Sequence, residues 1–241
     1  MAEARAGDEQ VVALKETCRV VGGNVPLWPW HRARLAGAGV ASAVLDAAEQ
    51  AVRQAAAEWE GAATRRARLS LVLAPDGRAE VQVAQTLSSL DVIGGPLVVR
   101  IDVAEQPPLP TPPGKPADRS WWDAAHKQAE ALGAHQAVLV APDGTVVDGS
   151  TAAVWIAEGG VLYTPPAPPA IPSVSVAFVC AQAQRAGLDI RMEPLTWERF
   201  EAADETFLTN AFGGAVAVAL QPTDEVGELR ALVKKLERLL V

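Results

Sequence analysis

Two cysteines, Cys18 and Cys180, are too few to staple 241 residues with a disulfide framework. No apolar run approaches the roughly 20 residues needed to span a bilayer, so no membrane role is expected. No basic-then-apolar segment opens the chain, and the cytoplasm is the expected compartment. Positive charge is also scarce: 21 Lys and Arg stand against 29 Asp and Glu, a formal net charge of −8. Apart from Arg65, Arg66 and Arg68 the basic residues are scattered, which gives no footprint for nucleic acid. Lysine occurs five times and tyrosine once, as Tyr163. No metal site is expected.

What is present is apolar bulk. At 49% apolar and 21% charged, the chain can bury one large core or two modest ones. Residues 11–21 and 25–27 flank Gly22-Gly23-Asn24, a turn sequence that tolerates positive φ, which predicts a hairpin. Across 40–59 the residues Val40, Val44, Ala48, Val52, Ala55 and Trp59 recur at helical spacing, with Glu49, Arg53 and Glu58 on other faces. Residues 68–73 and 79–85, split by Pro75-Asp76-Gly77, predict a second hairpin. The expected organisation is α+β: a small N-terminal domain over 1–86, a polar linker at 87–95 and a larger mixed-sheet domain over 96–241.

Six prolines between 105 and 116 exclude helix and central strand and hold Lys115 on an extended segment. That segment either presents the lysine rigidly or is a plain connector. Beyond it the patterns predict helices at 121–132, 174–186 (ended by Gly187), 195–202 and 225–240. Strands are expected at 96–103, 137–140, 145–147, 154–156, 161–163 and 206–209.

Between Pro142 and Pro166 the chain reads Pro-Asp-Gly-Thr-Val-Val-Asp-Gly-Ser-Thr-Ala-Ala-Val-Trp-Ile-Ala-Glu-Gly-Gly-Val-Leu-Tyr-Thr-Pro-Pro, and Lys115 stands 33 positions before Asp148. This succession resembles the core signature of class IV aminotransferases, the fold-type-IV pyridoxal-phosphate enzymes with the D-amino-acid aminotransferase-like fold. Lys115-Pro116-Ala117-Asp118-Arg119 resembles the Lys-x-x-(Asn)-Arg segment of aminodeoxychorismate lyases. Glu16-Thr17-Cys18-Arg19-Val20-Val21-Gly22-Gly23-Asn24-Val25-Pro26-Leu27 is similar to their front strand and turn, and His31-Arg32-Ala33-Arg34-Leu35 resembles the His-x-x-Arg-Leu element. Thr209-Asn210-Ala211-Phe212-Gly213-Gly214 matches the last loop. The likeness runs over about 14–218. In this chain Ala153 replaces a usual asparagine, Ser173 a glycine and Val176 an arginine, and the family's opening strands and their Gly-Asp element are expected to be missing or reduced to Gly7-Asp8.

The resemblance implies pyridoxal 5'-phosphate as cofactor, with Lys115 as the lysine that bonds its aldehyde. Lys127, Lys234 and Lys235 sit on amphipathic helical patterns and Lys15 on an early strand. Asp148 becomes the carboxylate at the pyridine nitrogen, one methylene shorter than the family's glutamate; a turn cap with Gly149 is the other role open to it. Arg34 inherits the phosphate, together with Ser173, Val174 and Ser175 at a helix start, where Ser173 also suits an N-cap. Asn210 and Ala211 would add backbone contacts. Thr17 falls at the substrate face as candidate proton donor, unless it only follows strand alternation, and Arg19 is a candidate for a substrate carboxylate.

Position 120, where transaminases of this class carry a tyrosine, is serine, and the front strand matches the lyases. The implied activity is that of 4-amino-4-deoxychorismate lyase in folate biosynthesis, forming 4-aminobenzoate and pyruvate. A class IV transaminase for branched-chain or D-amino acids, or a family member without the cofactor, are the alternatives. The expected partners are a small-molecule amino substrate and a second copy of the chain in a homodimer.

Overall fold

The computed structural model describes residues 12–59, 66–93 and 95–220; the expected helix at 225–240 and the Gly7-Asp8 element lie outside them. β1 (Leu14–Val20), β2 (Ala67–Leu73) and β3 (Ala79–Ala84) form an antiparallel sheet in that order. In β2 every second residue, Ala67, Leu69, Leu71 and Leu73, is buried, the period of a strand with one face in a core. α2 (Ser42–Ala57) supplies the other side of that core through Leu45, Ala48, Val52 and Ala56. Each fully buried leucine contributes about 1.5–3 kcal/mol relative to exposure.

The expected hairpin partner at 25–27 does not form. Gly22 and Gly23, at φ 55° and 75°, make the two-residue turn that positive φ permits, but only Val21 and Asn24 pair across it. β1 instead runs antiparallel to β2, Leu14 opposite Leu73 and Val20 opposite Ala67. The chain then enters α1 (Trp28–Gly37), which the sequence reading missed. Pro29 in its first turn favours helical φ, and Trp28, His31 and Leu35 make its buried stripe.

The rest of the chain builds two sheets. β4 (Val98–Asp102) lies parallel to β5 (Gln136–Val140), joined by α3 (Ser120–Ala131), and β6 (Val146–Gly149) pairs antiparallel to β5. The second sheet has the order β11-β10-β7-β8-β9. Its strands are β7 (Ala153–Glu158), β8 (Val161–Thr164), β9 (Asp189–Met192), β10 (Glu205–Asn210) and β11 (Gly214–Ala217). Trp155 and Phe207 stack across β7 and β10 with ring centroids 5.7 Å apart. β9 and β11 were not expected: β9 is a mostly exposed edge, and β11 is four small or aliphatic residues. α4 (Val174–Ala186) has the expected bounds, with Gly187 in the left-handed conformation at φ 61° as its cap. α5 is Trp197–Ala202. No helix among the described residues is long and apolar enough to cross a membrane.

Two local features position the chemistry. A Cβ on Gly149 would lie 2.2 Å from the Ala152 carbonyl oxygen, so only glycine lets the chain turn this tightly from β6 into β7. The proline-rich segment is anchored to the first strand: Lys15 N–H donates to Lys115 O at 2.9 Å and Ala117 N–H to Ala13 O at 2.8 Å, around a Leu14–Pro116 bridge.

Candidate active site

A cavity of about 540 Å³ opens between the face of β1 and β2, the β6–β7 turn, the start of α4 and the β10–β11 turn. This size is ordinary for a small-molecule site. Thr17, Arg34, Lys115, Asp148, Ser173, Val174, Asn210 and Ala211 line it. Arg19 and Ser175 stand behind its wall.

Lys115 reaches the cavity from the anchored proline segment. Its Nζ donates to Thr17 Oγ1 at 3.2 Å. Burial pushes its pKa down to about 7, Arg119 and Arg34 push the same way, and Glu16 opposes them. A large fraction is therefore the neutral amine at physiological pH, the form that acts as nucleophile or base.

Asp148, at the end of β6, is buried and held by three N–H groups. Oδ2 accepts from Trp122 Nε1 at 3.1 Å and Ile171 N at 3.2 Å, and Oδ1 from Gly149 N at 2.9 Å. Burial raises its pKa to about 6 against these donors and Arg119. A carboxylate has about four acceptor positions, so one is left for a ligand. The Gly149 contact is the local turn bond expected of a capping residue; those from Trp122 and Ile171 come from distant segments and aim the group.

Arg34, on α1, does not stand as an isolated fork. Its Nε donates to Glu16 Oε1 at 2.9 Å, Nη2 donates to Glu16 Oε2, and Nη1 donates to Pro172 O at 2.8 Å. One N–H on each terminal nitrogen is left. His31 Nδ1 meets Glu16 Oε2 at 2.5 Å from one turn earlier on the same helix. Burial alone would raise the Glu16 carboxyl, but Arg34 and His31 outweigh it and bring it to about 2. Burial lowers the His31 pKa against the pull of Glu16, and since a carboxylate only accepts, Nδ1–H is the donor to Glu16.

The start of α4 faces the cavity beside Arg34. Ser173 Oγ accepts from Val176 N at 3.4 Å, as an N-cap does, and contacts Ser175 Oγ at 2.9 Å. Ser175 passes the contact to Thr209 Oγ1 at 3.0 Å, which also accepts from Trp155 Nε1 at 2.9 Å. Ser175 thus ties α4 to β10 from behind. First-turn N–H groups at Val174 and its neighbours, with Arg34, form a local anion-binding set. Asn210 Oδ1 accepts from Phe212 N at 3.1 Å and Gly213 N at 2.5 Å, shaping the last loop.

Arg19 differs from its expected place. Its Nε donates to Phe212 O at 2.8 Å, and its side chain is buried against the 212–214 loop. It braces that loop to β1. Glu16, His31, Trp122 and Thr209 were given no role of their own from sequence. The adjacency of Glu16 to Thr17 and the i, i+3 spacing of His31 and Arg34 were available as signals. Nothing in the sequence indicated that Trp122 would hold Asp148. Arg119, likewise unassigned, lies over the Trp122 ring at 4.2 Å and donates through Nη2 to Ser150 O at 2.9 Å. Burial lowers its pKa to about 10 against the pull of Asp148 and Asp123.

The model of the family described as amino-transferase class IV matches residues 13–220. A protein from Methanocaldococcus jannaschii named "Putative branched-chain-amino-acid aminotransferase" is 34% identical over 92 residues, 38% of this chain and 32% of that protein. The match thus spans about a third of that relative's length. Among solved structures, the fold IV-transaminase CpuTA1 from Curtobacterium pusillum superposes with a TM-score of 0.77 at 21% identity, over 100% of this chain and 91% of its own. The PLP-bound form of a hypothetical aminotransferase from Mycobacterium tuberculosis gives 0.79 at 20%, over 100% and 94%. A "Putative 4-amino-4-deoxychorismate lyase" from Legionella pneumophila gives 0.77 at 20%, over 100% and 95%. At these identities the structural likeness speaks for the fold alone.

Proposed function

The chain belongs to the amino-transferase class IV family, and from that premise we propose that it is a pyridoxal-phosphate enzyme for a small amino substrate, namely a 4-amino-4-deoxychorismate lyase. The carrying observation is that the near-neutral amine of Lys115, the buried carboxylate of Asp148 and the donors of Arg34 and α4 meet on one cavity. These groups fit the cofactor: Lys115 suits an aldehyde, the open position on Asp148 a protonated ring nitrogen, and Arg34 with Ser173 and Val174 a phosphate. Bound there, pyridoxal phosphate supplies an electron sink for the carbon bearing the substrate's amine.

The chain's own groups divide the remaining work. Asp148, kept in place by Trp122 and Ile171, holds a proton at the ring nitrogen and so maintains the sink. Lys115 Nζ, once free, takes the proton from the substrate ring carbon beside the amine. Departure of enolpyruvate from the neighbouring carbon leaves an aromatic ring, and Thr17 Oγ1, within 3.2 Å of Nζ, delivers a proton toward pyruvate. No net oxidation occurs and no keto-acid acceptor is needed.

Two observations support the lyase over the transaminase. Ser120 stands where a tyrosine hydroxyl is usual in the transaminases, and Tyr163 does not line the cavity but has Arg199 and Arg191 over its ring, 4.3 and 5.9 Å from the centroid. The stretch shared with the Methanocaldococcus jannaschii protein favours the second reading, a branched-chain transaminase. Incubation with aminodeoxychorismate and no keto acid separates the two: pyruvate release is the expected result. Turnover only when 2-oxoglutarate and an amino acid are both supplied would establish the transaminase instead.

A homodimer and a domain junction at 87–95 belong to the same proposal. Leu87 and Ile93, strongly exposed large apolar residues beside the cavity mouth and in that junction, support a covered surface there. Light scattering at micromolar concentration should give twice the chain mass.

A further inference from the structure

The cavity wall runs against the charge of the chain. In a protein of net charge −8, five Lys or Arg side chains line it against two Asp. Lys115, Arg34 and Arg119 have work already described. Lys15 and Arg68 have none: neither forms an ion pair among the described residues.

Register explains where these two stand. Lys15, Thr17 and Arg19 project to one face of β1, and Arg68 of β2 is the cross-strand partner of Arg19. Lys15 and Arg68 therefore flank Thr17 from opposite ends of the strip, about 13 Å apart along the sheet at ~3.3 Å per residue. Thr17 in turn touches Nζ of Lys115. The backbone of Lys15 is fixed beside Lys115, its N–H bonded to Lys115 O at 2.9 Å. A reacting carbon at Lys115 thus has an unpaired cation on either side of it.

We propose that Lys15 and Arg68 are specificity-determining residues that receive the two carboxylates of a dianionic, ring-sized substrate, one at each end of the Thr17 strip. The inference rests on the lyase reading above, whose substrate is a cyclic dicarboxylate amine, and assigns two residues of this chain to its carboxylates. Two like-charged anchors spaced across a ring hold it equally before and during the reaction, so they select the substrate rather than speed the chemical step. An α-amino acid with an apolar side chain would leave one of the two cations without a carboxylate partner.

The test uses the full-length protein and two unreactive probes, isophthalate and benzoate, titrated calorimetrically with and without pyridoxal phosphate. The wild type should bind isophthalate about tenfold more tightly than benzoate, a preference that shrinks as salt is raised. Lys15→Met and Arg68→Met keep the apolar stems and should each bring the two probes to within about twofold, with thermal midpoints unchanged. Each should also raise KM for aminodeoxychorismate about tenfold while leaving kcat near the wild-type value, the signature of binding that is uniform through the reaction. Equal binding of the probes by the wild type, or an undiminished preference in both variants, would overturn the inference. Loading is scored separately from visible absorbance, so a colourless protein that still prefers isophthalate would sink the pyridoxal-phosphate reading and leave the dicarboxylate site standing.

Discussion

Lys115 and Thr17 stand 98 positions apart in the chain, yet Nζ of the first donates to Oγ1 of the second at 3.2 Å. Because Thr17 accepts this bond, its own hydroxyl hydrogen is free to point at a substrate. Thr17→Val should lower the rate of pyruvate release about 10²-fold or more, in the range of a lost general acid, and Thr17→Ser should restore most of it. Stopped assays with both variants, at saturating substrate, measure this directly.

Lys115 should carry the cofactor. Borohydride reduction followed by peptide mass spectrometry is expected to place the label on Lys115, and Lys115→Ala should abolish it with the fold intact. A label on Lys15 or Lys127 would refute the assignment. Capture of the aldehyde should accelerate as pH rises through about 7, where the ammonium loses its proton. The depressed pKa also has a sign for stability: between about 7 and the ordinary 10.5 the unfolded chain binds more protons, so stability rises with pH across that window. Lys115→Met should flatten that rise in urea melts at pH 7 and pH 10.

Removing the Asp148 carboxylate deprives Trp122 Nε1 and Ile171 N of their acceptor, so Asp148→Ala should cost about 1–3 kcal/mol of stability as well as turnover. Asp148→Glu should retain activity if the longer side chain keeps its hold on the ring nitrogen. Trp122→Phe is the finer probe. It deletes one donor to Asp148 while keeping an aromatic face under Arg119, and should raise the Asp148 pKa further, seen as a shift in the acid limb of the activity profile.

Glu16 is buried between His31 and Arg34, and Glu16→Gln breaks the pair while preserving size. Truncating one partner of a buried ion pair costs about 3–5 kcal/mol, which calorimetry would show as a lowered midpoint. The sign with pH is opposite to that of Lys115. With a folded pKa near 2 against the ordinary 4.5, the contribution of Glu16 is complete above 4.5 and disappears as pH falls toward 2. The variant should lack that part of the acid transition.

Much of this molecule was legible from periodicity and punctuation. α4 is bracketed by a serine cap and a left-handed glycine, and α2 by its apolar spacing, so both follow from local rules. α1 escaped because Gly22-Gly23 gave a strong hairpin signal just before it, while the helix buries only one short stripe. β9 escaped because an exposed edge strand needs no apolar alternation, and its pairing with β8 is a tertiary fact. The same division runs through the site. Motifs nominated Lys115, Asp148 and Arg34, which line one cavity, but the bond from Trp122 to Asp148 and the turn of Arg19 toward Phe212 depend on packing between segments far apart in sequence.

The backbone bonds that fasten residues 115–117 to residues 13–15 give the chemistry an order in time. On a growing polypeptide, residue 115 is synthesised about a hundred residues after the strand it must join, and until it docks there its amine is an ordinary, protonated one in water. Desolvation by the finished cavity is what makes that amine reactive near neutrality. Incomplete or misfolded copies would therefore take up free aldehydes far more slowly, and completion of the fold would itself be the step that arms the lysine.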